Sequence, residues 1–335
     1  MTPRTVTPYA ESVFRDDHAG FARPGRRSRP RTKNRPDYSD LPVGRVITVD
    51  RGRYRCLVDG LVITAAKARS LGRKSVIVGD WVRLDADVSG VAGTLARITE
   101  VVERTTVLRR TADDIDPFER PIVANADQLV VVTALVDPEP RLGLIDRALV
   151  AAYDAGLVPL LCLTKSDLAD PAELLAAYEP LGVPVFVSAP GRDLTPLRQR
   201  LAGHVSVLLG HSGVGKSTLV NALIPGADRR TGSVNNVTGR GRHVSTSALA
   251  LELPPPGGWI IDTPGLRSLG LSHVAPEHVL AAFADLASIA ADCPRGCTHA
   301  ADESECALDL AVTDGRLATA RLASFRRLRR SEAED

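Results

Sequence analysis

Gly210-His211-Ser212-Gly213-Val214-Gly215-Lys216-Ser217-Thr218, entered from the apolar run Val205-Ser206-Val207-Leu208-Leu209, decides the fold. A buried strand running straight into G-x-x-x-x-G-K-[ST] and then a helix is the setting of a phosphate loop. Its glycines permit backbone angles that turn several N–H groups toward one point. Lys216 supplies a cation for the β and γ phosphates, and Ser217 offers a hydroxyl to Mg²⁺. His211 reads as a spacer whose backbone N–H matters. The loop predicts that the chain binds a nucleoside triphosphate.

Working outward, strands and helices alternate from about Asn125. Gln128–Ala134 is a near-continuous apolar run, as a strand buried on both faces requires. It is followed by a helical stretch over Leu142–Ala155, strand Val158–Leu163, a helix near Pro171–Tyr178, strand Val183–Val187 and a short helix near Thr195–Leu201. This repetition predicts a doubly wound, mostly parallel α/β sheet. Ahead of it, Gly44–Val49, Tyr54–Val58, Ser75–Val78, Trp81–Leu84 and Ala96–Val102 read as short strands, with turn signals at Asp50-Arg51-Gly52 and Asp59-Gly60. They suit a small all-β barrel of the oligonucleotide-binding (OB) type, which periodicity alone does not separate from other small barrels. Beyond Asp262 the chain turns helical, apart from a cysteine cluster. The expected domains are a disordered basic leader (1–40), the barrel (41–110), the nucleotide-binding domain (111–272) and a helical metal-binding domain (273–335).

Composition bounds the class. In 335 residues, 44% hydrophobic and 24% charged, no apolar stretch approaches the roughly 20 residues of a membrane span, and no secretory signal is visible. Five cysteines, three of them bunched near a histidine, argue for a metal site in a reducing compartment, so the cytoplasm is expected. Net charge is only +2, yet nine Arg/Lys stand against three acids between Met1 and Pro36, and Arg326-Arg327-Leu328-Arg329-Arg330 lies near the C-terminus. Basic ends on a nearly neutral body point to a polyanion, most often nucleic acid; the plainer reading is a solvated tail. On the barrel, Arg51, Arg53, Lys67, Arg69, Arg73 and Lys74 would suit phosphate contacts or serve as ordinary polar surface.

Two further elements belong with the phosphate loop. Asp262-Thr263-Pro264-Gly265 ends the apolar strand Trp259-Ile260-Ile261; an acid at that strand tip holds Mg²⁺, and Gly265 offers its N–H to the γ-phosphate. Leu163-Thr164-Lys165-Ser166-Asp167 resembles the N-K-x-D element by which GTPases recognise guanine, with Thr164 in place of Asn. There the carboxylate (Asp167) accepts two hydrogen bonds that adenine does not supply, and the lysine stem (Lys165) packs along the base. Ser188-Ala189, some 20 residues on, resembles the last GTPase element, whose backbone contacts the guanine O6. Base elements thus precede the phosphate loop and the Mg²⁺ acid follows it. That is a circular permutation of the usual order, and it preserves the site because all elements meet at the strand carboxyl ends. Behind them, Cys293, Cys297, His299 and Cys306 give C-x3-C-x-H-x6-C, the four ligands of one closed structural Zn²⁺ site. Cys56 and Cys162 fall in apolar strands and read as core.

This order, with a barrel in front and a cysteine cluster behind, resembles the RsgA (YjeQ) family of small-ribosomal-subunit-dependent GTPases over about Val43 to Arg330. Ile122–Gln128 and Leu144-Ile145-Asp146-Arg147 also match the family, and Gly239-Arg240-Gly241-Arg242-His243 resembles its switch region. The resemblance implies GTP/GDP binding, Mg²⁺, and late maturation of the small (30S) subunit with subunit-stimulated hydrolysis and rRNA contact through barrel, tails and zinc domain. The family's T-T-T is here Val244-Ser245-Thr246, so Thr246 is favoured over Ser245 as the Mg²⁺-sensing hydroxyl. Leu266, where a water-orienting Gln is common, does no hydrogen-bonding work, so intrinsic turnover is expected to be slow and His243 is the nearest substitute. A monomer is the simpler expectation. The alternatives are a non-hydrolytic, nucleotide-stabilised RNA-binding module and a phosphoryl-transfer enzyme acting on a small substrate.

Overall fold

Alternation of inward apolar residues closes the first part of the chain into a ring. The computed structural model describes residues 37–72, 76–111, 119–227, 248–263, 276–303 and 305–333. The chain divides into Met1–Asp37 and a unit spanning Tyr38–Asp335, and the account that follows is of the second. Its first strands are β1 (Val43–Asp50), β2 (Arg53–Val58), β3 (Leu61–Lys67), β4 (Trp81–Asp85) and β5 (Ala96–Val101). β1, β2 and β3 form an antiparallel meander, β5 runs parallel to β3, and β4 pairs antiparallel with both β5 and β1. Val46, Cys56, Ile63, Val82, Leu84 and Ile98 fill the interior, each 1% exposed or less. Both hairpin turns hold their central residues at positive φ, 44° and 81° at Arg51-Gly52 and 46° and 82° at Asp59-Gly60, matching the right-handed strand twist.

One expected strand is replaced by another. Val76, Ile77 and Val78 are buried but make only an isolated bridge, Val78 to Val123, and Ser75 lies outside the described residues. The third barrel strand is instead Leu61–Lys67, whose Ala65-Ala66 pair blurred its alternation. Val76–Val78 serves as a latch between the barrel and a hairpin not foreseen from the sequence, β6 (Val107–Thr111) and β7 (Glu119–Ala124).

That junction is polar and interlocked. The Asp80 carboxylate, wholly buried, accepts two bonds from Arg104 at 2.6 and 2.9 Å and one from the Ile77 N–H at 2.8 Å. Asn125, at φ 53°, accepts from the Thr105 N–H and donates to the Gly79 carbonyl. Arg45 of β1 donates to the Asn125 carbonyl and lies between two indoles, 5.4 Å from Trp81 and 5.5 Å from Trp259.

The second half is the expected doubly wound sheet. Its strands are β8 (Gln128–Ala134), β9 (Val158–Thr164), β10 (Val185–Val187), β11 (Val205–Leu209), β12 (Leu249–Glu252) and β13 (Trp259–Asp262), in the order β10-β9-β8-β11-β13-β12. All pairings are parallel except that of the short strand β12, which also meets β1 at Thr48–Leu249 and so joins barrel and sheet into one ladder. Helices α1 (Leu142–Asp154), α2 (Ala172–Tyr178), α3 (Thr195–Leu201) and α4 (Lys216–Leu223) cover it. Alternate β8 residues face opposite cores: Leu129 and Val131 join Leu149 of α1, while Val130 and Val132 join Leu197 of α3 and Val220 of α4. Strand β10 is shorter than expected because Pro184 cannot donate to the ladder, although its carbonyl still accepts from Leu161 at 3.0 Å.

Four helices follow: α5 (Pro276–Ala281), α6 (Ala284–Ala290), α7 (Ala307–Thr313) and α8 (Thr319–Ala333). The arginines of α8, expected to meet a polyanion, are largely used inside the protein. Arg327 bonds the buried Asp146 of α1 at 2.9 Å and lies 4.9 Å from the Tyr178 ring, whose hydroxyl donates to the same carboxylate. Arg321 pairs with Asp285 and donates to the Pro180 carbonyl. Arg326 forks onto Asp309 at 2.8 and 2.6 Å, and Arg329 donates to the Thr298 carbonyl. Arg327 and the Arg321–Pro180 bond dock the last helix on the nucleotide-binding domain, and the other pairs tie it to its neighbours in the helical domain.

Gly79 sits at the junction with φ 90°, and a Cβ there would stand 2.0 Å from the Ala124 carbonyl oxygen. Gly79→Ala is therefore expected to destabilise the protein by about 2 kcal/mol or more, read as a lowered unfolding midpoint in urea.

Candidate functional site

The phosphate loop is shaped by three glycines with different duties. Gly210 lies against β8, where a Cβ would meet the Val132 carbonyl oxygen at 2.2 Å, so no larger residue lets the loop leave β11 at this angle. Gly213 and Gly215 take φ of 83° and 92°, values L side chains rarely adopt, and Gly215 caps the start of α4. Among the described residues, the backbone N–H groups of Gly213 through Thr218 donate to no carbonyl or side chain. Orphan donors at a helix N-terminus suit an anion. Lys216 Nζ donates to the Gly210 and His211 carbonyls at 2.5 and 2.8 Å. Burial lowers its pKa, and the Asp262 charge opposes that shift. A cation so poorly solvated gains from a phosphate. Ser217 is half-buried at the same helix end, Thr218 and Ser212 are exposed, and the His211 ring nitrogen stays local, 3.0 Å from the Ser212 carbonyl. Behind α4, Arg198 of α3 donates to the Leu223 carbonyl at 2.7 Å and to that of Ala222, capping the C-terminus of the phosphate-loop helix.

The base-side elements come together beside the loop. Thr164, 5% exposed at the end of β9, donates its hydroxyl to the Val214 carbonyl at 2.6 Å. Its side-chain atoms also lie 3.5–3.7 Å from where a Gly215 Cβ would stand. The hydroxyl in the place of the usual amide thus ties β9 to the loop. Lys165 follows at φ 59°, and its ammonium donates to the Asp137 carbonyl, which anchors the stem across the site. The Ser166 N–H and hydroxyl both donate to the Ser188 carbonyl, at 3.2 and 3.3 Å, and the Ser188 N–H donates to Leu163 at 2.7 Å. The two loops that carry Asp167 and Ala189 are in this way held in register, and Asp167 is exposed. Sequence reasoning missed Asp137 and Arg192, which reaches the Ser166 hydroxyl at 3.4 Å. The Asp137-Pro138 turn just after β8 was the available signal for the first.

Asp262 ends β13 beside the loop, 5% exposed, its strand neighbour Leu208 on β11. The next hydroxyl, Thr263, donates to the Leu208 carbonyl at 2.8 Å and fixes how the chain leaves the sheet. Gly265, Leu266, His243, Ser245 and Thr246 lie outside the described residues, as do Arg73 and Lys74.

The cysteine cluster forms as expected. The ligand atoms of Cys293, Cys297, His299 and Cys306 lie within 4.8 Å of one another. His299 Nδ1 is 3.5, 3.5 and 3.7 Å from the three sulfurs. Zinc bonds of 2.0–2.3 Å in a tetrahedron predict sulfur–nitrogen edges of about 3.6 Å, so the donor set is compatible with zinc. Burial and the nearby Arg329 and Arg326 lower the His299 pKa, favouring the neutral ring that a metal needs. Backbone N–H groups of Ala307 and His299 point at the Cys293 and Cys297 sulfurs, at 3.2 and 3.4 Å. Arg326 bonds the His299 and Ala300 carbonyls, both at 2.9 Å, and so holds the ligand loop to α8. Cys56 and Cys162 are fully buried core residues whose thiols burial pushes up to about 12, so they remain protonated.

Thr164→Val preserves shape and removes the donor, leaving the buried Val214 carbonyl short of a partner. It is expected to cost about 1–3 kcal/mol and to weaken nucleotide binding about tenfold, whereas Thr164→Ser stays near the parent. Titration with a fluorescent guanosine diphosphate checks both.

Comparison with known proteins places this arrangement. The profile of the RsgA GTPase family matches residues 101–272. A small ribosomal subunit biogenesis GTPase RsgA from Pseudomonas aeruginosa (strain LESB58) is 41% identical over 269 residues, 78% of this chain and 77% of that relative. Its namesake from Ectopseudomonas mendocina (strain ymp) is 46% identical over 225 residues, 64% of this chain and 65% of the relative, so that match spans just under two thirds of its length. Among solved structures, YjeQ from Thermotoga maritima superposes with a TM-score of 0.66 at 26% identity, covering 88% of this chain and 99% of its own. YloQ, described as a circularly permuted GTPase, gives 0.62 at 26% identity, covering 89% and 97%. With phosphate loop, base-side elements and metal cluster arranged as above, the chain belongs to the RsgA GTPase family.

Proposed function

We propose that the chain is a GTPase acting as a late maturation factor of the small ribosomal subunit, hydrolysing GTP to GDP and phosphate with stimulation by that subunit. Family membership and relatives named for small ribosomal subunit biogenesis support the class of reaction and the particle. The observation that supports the reading is the Thr164–Val214 hydrogen bond, which ties the end of β9, where this reading puts the guanine element, to the phosphate loop although the two arrive in permuted order.

Each residue then has a task. Asp167 accepts from the guanine ring N–H and amine, the Lys165 stem lies along the base, and the Ser188-Ala189 backbone meets O6. The N–H groups from Gly213 to Thr218 hold the phosphates. Lys216 exchanges two loop carbonyls for phosphate oxygens, an exchange its burial favours. Ser217, Asp262 and Thr246 would hold Mg²⁺, which neutralises charge on the β and γ phosphates when bound. With Leu266 after Gly265, the chain has no water-orienting side chain there, and His243 is assigned that task in the subunit-bound state. Cys293, Cys297, His299 and Cys306 hold one structural Zn²⁺ whose four protein ligands leave no open position. The leader (1–40), an OB-type barrel (41–110), the permuted GTPase domain (111–272) and the zinc-binding helical domain (273–335) complete the scheme. The strand order 1-2-3-5-4 of the closed barrel favours the OB assignment. The partner is the subunit and its rRNA, met by a monomer in the cytoplasm; no described helix is long and apolar enough to cross a membrane.

Two measurements test this. GTP turnover is expected to rise at least tenfold on adding purified small subunits, and Lys216→Ala is expected to lower the stimulated rate about 100-fold or more. No stimulation in the parent chain would sink the proposal. Asp167→Asn is expected to shift preference from GTP to xanthosine triphosphate, and guanine preference surviving that change would remove Asp167 from the base site.

A further inference from the structure

The loop Thr164–Asp167, assigned above to guanine recognition, is tied down at every residue but the last. Thr164 is held to the Val214 carbonyl, Lys165 to the Asp137 carbonyl, and Ser166 to the Ser188 carbonyl through both its N–H and its hydroxyl. Asp167 comes next. It is exposed and, among the described residues, its carboxylate has no hydrogen-bond or ion-pair partner. Its aim is therefore set by Ser166. The Ser166 hydroxyl has two neighbours: it donates to the Ser188 carbonyl at 3.3 Å, and Arg192 Nη1 donates to it at 3.4 Å. A hydroxyl has one proton to give, and a donor on its lone pairs directs that proton to the remaining acceptor.

Arg192 is delivered there by rigid backbone. Ala189-Pro190-Gly191-Arg192 is a type II turn: proline holds the second position, Gly191 the third at φ 74°, and the Arg192 N–H closes it on the Ala189 carbonyl at 3.1 Å. On the other side, the Asp193 carboxylate accepts from the Thr195 N–H and hydroxyl at 2.9 and 2.6 Å, where α3 starts. Leu197, 2% exposed, seats that helix on the sheet. An exposed arginine ordinarily loses rotamer freedom to hold a single contact. Fixing its backbone on both sides reduces that loss, and a charged donor makes the stronger bond. The turn that aims Arg192 also carries Ala189, so one short segment reaches both halves of the base site.

We propose that Arg192 is a positioning residue for guanine recognition: bridging from the Ala189 turn to the Ser166 hydroxyl, it fixes the spacing between the Asp167 carboxylate and the Ala189 backbone. This rests on the reading above and deepens it by adding a residue that lies outside the recognition elements. Guanine presents its ring N–H and amine to Asp167 and its O6 to the Ser188-Ala189 backbone, so it fits only when the two loops stand at one separation. Hypoxanthine lacks the amine, makes one bond to Asp167 in place of two, and tolerates a looser spacing. Arg192 thus acts on the choice of base and not on the hold on the phosphates.

The test titrates the full chain with fluorescent guanosine and inosine diphosphates. Arg192→Gln is expected to bind the guanosine nucleotide about fivefold more weakly and the inosine nucleotide no more than about twofold more weakly, so that the ratio of the two affinities falls. Arg192→Lys keeps a cationic donor for a single contact and is expected to restore most of that ratio. Because Arg192 acts through Ser166, Arg192→Gln/Ser166→Ala is expected to match Ser166→Ala alone. Unfolding midpoints in urea verify that Ser166→Ala folds, and the two Arg192 variants alter only an exposed side chain. An unchanged ratio in Arg192→Gln overturns the proposal, whether both affinities hold or both fall together; the second result marks a general pull on the diphosphate. Additive losses in the double variant overturn it as well, and so does a ratio in Arg192→Lys no higher than in Arg192→Gln. Preference of the parent chain for guanosine over adenosine diphosphate judges the guanine reading separately.

Discussion

A buried hydroxyl holds the site together. The Thr164 side chain donates to the Val214 carbonyl at 2.6 Å, from the end of β9 into the middle of the phosphate loop. Loop backbone that turns its N–H groups toward an anion must aim carbonyls elsewhere, and a buried carbonyl without a donor costs about 1–3 kcal/mol. Thr164 relieves one of them and Lys216 relieves two more. The end of β9 and the phosphate loop are thereby a single mechanical piece, and the order in which the chain makes them does not matter. Permutation is tolerated because the constraint is spatial: every element sits at the carboxyl end of a parallel strand.

Charge is distributed by the same economy of partners. Arginines at domain seams are half-buried against buried carboxylates: Arg104 on Asp80 and Arg327 on Asp146. Removing one partner of such a pair strands a buried charge, which is far more costly than losing an exposed pair. The barrel wall carries the opposite kind: Arg53, Arg55 and Arg97 are exposed on its strands. Placement thus separates cations that assemble the protein from cations left to solvent.

Legibility followed the strength of local signals. The phosphate loop, the buried strand β8 and the metal cluster were readable because each packs its determinants into a short window. β3 was passed over for Ser75–Val78 because a run of valine and isoleucine signals burial, and burial here serves a latch to Val123 and not a ladder. β12 has four residues, too few for a period to emerge, and it exists because β13 and β1 offer edges on either side. The roles of the α8 arginines were invisible for a different reason. Their partners, Asp146 and Asp309, lie 181 and 17 residues away, and a charge count carries no distance.

The seam between barrel and sheet has a practical property. The chain contains two tryptophans, and both, Trp81 from the barrel and Trp259 from the strand that ends in Asp262, lie against the one guanidinium of Arg45. The protein's whole indole emission therefore originates at a single joint. Any change in how the barrel rides on that strand is written into the native fluorescence, with no label attached.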